Sequence, residues 1–150
     1  MTTAENQASA ATPRAAVQPY RLQISVVYQD EMARQWASRA VEEAAAVVGG
    51  DSVSCSWWDM HKLTNRAIGA EAFSGGHAAD IIIVAVRAAD RLPVGFYIWL
   101  SSFLEQRFCR DGLLVALVDG TRSIGAALQH CLETLARKCT LDFLPVQVAA

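Results

Sequence analysis

A chain of 150 residues, 53% hydrophobic and 19% charged, can bury one sizeable core and is too apolar to be disordered throughout. Its formal net charge of −2, with no Lys/Arg-rich run, excludes the electrostatic footprint of a nucleic-acid or anionic-membrane binder. No apolar run approaches the roughly 18 residues of a membrane span and no signal-peptide pattern opens the chain, so a cytoplasmic protein is expected.

Residues 1–19 are rich in Ala, Thr and Gln with almost no large apolar side chain, and are expected to be a disordered tail. Residues 20–150 are expected to form one α/β domain. Arg21–Tyr28 reads as the first strand, with Leu22, Ile24 and Val26 on one face. A helix follows over Glu31–Val48. Trp36, Ala40, Ala44 and Val47 recur at helical spacing, Val41 and Val48 widen the stripe, and Gly49-Gly50 ends it. Asp51–Met60 alternates Val53, Cys55 and Trp57 against Ser52, Ser54 and Ser56, the pattern of a half-buried edge strand. A weaker helix is expected over Leu63–Ala72, closed by Gly75-Gly76.

The central stretch, Ala79–Arg107, holds an all-apolar strand (Ile81–Val86), a loop (Arg87–Pro93) and a helix apolar almost all round (Val94–Phe108). A strand without polar alternation must be covered on both faces. Leu113–Val118 is a second such strand. Ser123 is a plausible N-cap for a helix over Ile124–Cys139, with the stripe Ile124, Leu128, Cys131, Leu132 and Leu135. In the last strand, Leu141–Val148, Pro145 cannot donate to a ladder, so the strand lies at an edge or ends there. Cys55, Cys109, Cys131 and Cys139 form no metal or redox spacing and read as small packed thiols; no metal site is expected from His61, His77 and His130 either.

This β-α-β-α-β-α-β-α-β order, with the all-apolar strands third and fourth, predicts a three-layer, doubly wound α/β sandwich. Its five-stranded parallel sheet takes the order 2-1-3-4-5, as in flavodoxin-like sheets. Ligands of such sheets lie at the carboxyl ends of the strands. The candidate binding residues on that rim are Asp30, Glu31, Arg87, Asp90, Asp119, Thr121 and Arg122, with Asp59 and His61 nearby. Asp30, Glu31 and Asp119 are also a conceivable acidic metal set.

The Ala-Asp before the third strand, its exit loop, Leu92-Pro93 and the helix after it resemble the NADPH-dependent FMN reductases over about thirty residues. That resemblance implies a flavin beside the loop. The loop after strand one, Tyr28-Gln29-Asp30-Glu31-Met32, departs from it: two carboxylates stand where hydroxyls and N–H groups would hold a phosphate. The Asp30-Glu31 pair is similar to the acidic pair of response-regulator receiver domains, which implies Mg²⁺ binding and phosphorylation. Here strand three ends Ala85-Val86-Arg87, without a phosphoacceptor Asp, and Lys138 precedes the last strand rather than following it. No G-x-G-x-x-G, P-loop or G-x-S-x-G occurs.

Helix 94–108 carries more large apolar residues than one sheet-facing stripe needs. Phe96, Tyr97, Ile98, Trp99 and Leu104 are therefore expected at a homodimer interface. The expectation for function is a non-catalytic interaction or regulatory module, pseudo-receiver-like, with no cofactor. The alternative is an FMN-binding NAD(P)H-dependent oxidoreductase with an atypical phosphate loop.

Overall fold

The structure is a computed structural model that describes residues 21–63, 65–77, 79–87, 94–106, 111–119 and 123–148. Within these, the side chains of residues 51, 73–77, 94–96, 104–106 and 123–127 are not described. Residues 1–19 lie outside the described part, as do Cys109 and Phe108.

Among the described residues, five strands alternate with four α-helices. They are β1 (Leu22–Tyr28), α1 (Glu31–Val48), β2 (Val53–Asp59), α2 (Arg66–His77), β3 (Ile81–Val86), α3 (Val94–Gln106), β4 (Leu113–Asp119), α4 (Ser123–Lys138) and β5 (Asp142–Val148). Every neighbouring pair is parallel and the order is β2-β1-β3-β4-β5, the flavodoxin-like arrangement. The order follows from burial: β3 and β4 are apolar on both faces, so they must be internal, and serine-rich β2 and proline-bearing β5 take the edges. Among the described residues, no helix is long and apolar enough to cross a membrane.

The sheet divides the core in two. Val27, Ile82, Val84, Val86, Leu114, Ala116 and Val118 face one side, against Leu100 and Phe103 of α3 and Leu128, Leu132 and Ala136 of α4. Ile24, Val26, Ile83, Ala85, Val115 and Leu117 face the other, where Ala33 and Ala37 of α1 are wholly buried. Two alanines at i and i+4 let α1 lie close to β1 and β3, and Trp36, Ala40 and Val41 pack beside them. Val47 does not join the expected stripe: it is 84% exposed, because the buried face is centred on Ala33 and Ala37 and turns away by the last turn. Gly49, at φ 98°, closes α1 in a backbone state that favours glycine, as its position after the apolar stripe predicts.

α2 starts and ends later than expected. A 3₁₀ turn over Met60–Lys62 follows β2, and Asn65 Oδ1 then accepts from the N–H groups of Ala67 and Ile68, so the helix begins at Arg66. It runs through Gly75-Gly76 to His77. β5 does not stop at Pro145, which pairs in register with Ala116 while the strand continues to Val148. After α4, Thr140 adopts φ 59° and the Leu141 N–H reaches back to Ala136 O at 2.8 Å. This is a Schellman-type close with threonine where glycine is usual.

Candidate functional site

The carboxyl ends of β1 and β3 meet at the reversal of strand order, the place where doubly wound sheets open a crevice. In this chain the two exit loops are tied together there. Gln29 follows β1, is 4% exposed, and donates its backbone N–H to Ala85 O at 3.0 Å. Its side-chain Oε1 accepts the Arg87 N–H at 2.7 Å. The first residue beyond β3 is thus held by a buried amide from the first residue beyond β1.

Asp30 completes the closure with both carboxylate oxygens. Oδ1 accepts the Ala33 N–H at 2.9 Å and caps α1. Oδ2 receives Arg87 Nη1 at 3.2 Å. The carboxylate therefore lies at the positive end of α1 and is neutralised by a guanidinium from the neighbouring loop. Glu31, the next residue, is exposed in the first turn.

Of the expected rim residues, Asp30 and Arg87 come into contact. Asp119 ends β4 opposite Val148, two strands from Asp30 in the sheet order. Asp90, Thr121 and Arg122 lie outside the described residues. Asp59 turns inward on its own chain, its Oδ1 accepting the His61 N–H at 2.9 Å. Among the described residues, no group of three or more His, Cys, Asp or Glu side chains is placed to hold a metal.

These residues do not fit a flavin phosphate at the start of α1. That site works through free N–H groups at a helix N-terminus. Here the capping N–H of Ala33 is already taken by a carboxylate, and Glu31 adds a second negative charge beside it.

On the α1 side of the β1–β2 rim, Arg34 lies over two rings, 5.6 Å from the centroid of Tyr28 and 5.0 Å from that of Trp57. This cation–π stack fastens α1 to the edge strand. Trp58, next in the strand, packs against the opposite core cluster. Among the described residues its buried indole N–H has no acceptor, and packing against that cluster holds it.

The residues expected at an interface on α3 divide as follows. Ile98 is 64% exposed. Trp99 is half-buried: its Nε1 donates to Gly69 O at 3.2 Å and its ring stacks on Phe103 at 5.1 Å. Tyr97 is half-buried against the core, and burial, with the Cys131 thiol beside it, raises its phenol above the usual range. The side chains of Phe96 and Leu104 lie outside the described set.

Gln29 and Arg34 are the residues that sequence reasoning missed. A single Gln after an apolar strand looks like an ordinary loop residue. The available signal was its place one residue before an N-cap, where a long amide can reach the adjacent loop. Arg34 sits one turn into α1 and lies over aromatic rings of two neighbouring strands, and pairing it with Trp57 requires knowing the strand order. No family model matches the chain, and no curated protein matches it.

Proposed function

We propose that the chain is a non-catalytic interaction or regulatory module built on a flavodoxin-like sheet, receiver-like in layout and without a receiver's chemistry. One observation carries this reading: the N-terminus of α1, where such sheets take up a phosphate, is filled by the chain's own Asp30 carboxylate, ion-paired with Arg87. Gln29 supports it, because its buried amide joins the two loops between which a ligand would enter.

The acidic pair that resembles a receiver's metal site is divided in role. Asp30 accepts two hydrogen bonds within the protein, and Glu31 faces solvent. Strand β3 ends at Val86 and Arg87 follows it, and neither offers an acyl-phosphate acceptor.

Titration of the purified protein with FMN tests the reading. The expected result is unquenched flavin fluorescence and an unchanged melting temperature. Saturable quenching, or a yellow protein as purified, would overturn that reading and support the flavin-binding oxidoreductase instead.

A further inference from the structure

The two edges of the sheet are not equivalent. In β1, the Gln29 N–H reaches Ala85 O and the Gln23 N–H reaches Asp80 Oδ2, so odd-numbered residues turn their main-chain groups toward β3. Even-numbered residues therefore turn toward β2. With Ile24 opposite Cys55, the parallel ladder takes the N–H and C=O groups of Ser54, Ser56 and Trp58. Those of Val53, Cys55, Trp57 and Asp59 are left pointing away from the sheet.

The same reasoning applies to β5. The Asp142 N–H bonds Gly112 O, so Phe143, Pro145 and Gln147 face outward. Pro145 thus costs the sheet no bond and removes the middle donor from that edge. Proline is one of the devices by which proteins blunt an edge against strand pairing; charge and bulges are others. β2 has no proline, and no charged residue from Val53 to Trp58.

We propose that β2 is an interaction edge that pairs antiparallel with β2 of a second copy, about a two-fold axis at Ser56. The two five-stranded sheets then join into one. This register uses all four outward residues of each strand, Val53 facing the partner's Asp59 and Cys55 facing the partner's Trp57. On the opposite face Ser54 meets the partner's Trp58, so each tryptophan lies across from a small residue. Moving the axis to Cys55 sets Trp58 and Asp59 against residues 52 and 51 of the partner, which belong to the 3₁₀ turn before β2, so the end of the strand goes unpaired. Moving it to Trp57 carries Val53 and Ser54 past the end of the partner's strand, so they go unpaired. The strand's sequence is therefore complementary to itself in one register, which favours a second copy over an unrelated strand.

The test uses sedimentation of the full chain and two sets of variants. Ser56 turns its main chain toward β1, so across the axis it forms a non-hydrogen-bonded pair, with Cα atoms about 4.5 Å apart, within disulfide range. In a Cys55→Ser background, Ser56→Cys is expected to give a disulfide-linked dimer on mild oxidation, and Ser54→Cys is not. Cys55→Pro places proline at an outward position, as Pro145 does in β5. It is expected to keep the native circular dichroism and to convert a wild-type dimer to monomer.

Wild type that stays monomeric up to millimolar concentration would overturn the proposal, and the edge would then await a strand from another protein. A dimer that persists in Cys55→Pro, or Ser56→Cys that links no better than Ser54→Cys, would overturn it as well. If Cys55→Pro fails to fold, the cysteine pair decides alone.

Discussion

Replacing Asp30 separates the two tasks of its carboxylate. Asp30→Ala removes the cap on α1, worth about 1 kcal/mol, and the partner of Arg87. The Arg87 and Asp30 side chains are 40% and 32% exposed, so solvent screens the pair and its share is about 0.2–1 kcal/mol. The negative charge at the helix N-terminus adds about 0.3–1 kcal/mol. Asp30→Ala should therefore cost about 1.5–3 kcal/mol by these terms together. Asp30→Asn keeps a good capping oxygen and should cost about 0.5–2 kcal/mol. Urea unfolding at low and high salt measures both. High salt should bring Asp30→Asn close to wild type while leaving Asp30→Ala short of it. Equal losses for the two variants, or losses insensitive to salt, would refute the division of roles.

Two further outcomes follow from the packing. A Cβ at Gly69 would sit 2.5 Å from Leu63 O, a backbone atom that cannot swing away. Gly69→Ala is thus expected to destabilise by about 1–3 kcal/mol in thermal unfolding, despite alanine's better helix propensity. The Cys55 thiol is pushed up to about 11 from 9.0 by burial, so the folded state holds its proton more tightly than the unfolded chain. That contribution is fully present below pH 9 and is lost as pH rises from 9 toward about 11. Cys55→Ala should flatten this part of the stability curve, and wild-type Cys55 should react slowly with iodoacetamide at pH 8.

The parts of the fold legible in the sequence are those decided by burial alone. α1 over Glu31–Val48 and β3 over Ile81–Val86 occupy the expected residues, because an amphipathic stripe bounded by Asp30 and Gly49, and an unbroken apolar run, each have one stable solution. The edges followed from the serines of β2 and from Pro145. α2 was misplaced because Gly69 and Gly75-Gly76 look like breaks. Yet Trp99 Nε1 bonds Gly69 O, and Leu63 O presses on Gly69, so that glycine marks a close approach of neighbours inside the helix. At the candidate site, Asp30 and Arg87 could be placed on the same rim by strand order. Their direct contact, and the role of Gln29 between the loops, depend on side-chain reach across 57 and 58 residues of sequence, which no local pattern encodes.

Pro145 has a consequence for how large an assembly this chain can make. A sheet that accepts a new strand at both margins has no natural stopping point: each added molecule offers a fresh margin and the product is a fibre. With β5 refusing a strand at its centre and only β2 receptive, addition ends after one event. In the proposed pairing, a single imino acid on the margin opposite β2 thus sets an upper limit on stoichiometry and keeps the assembly from polymerising.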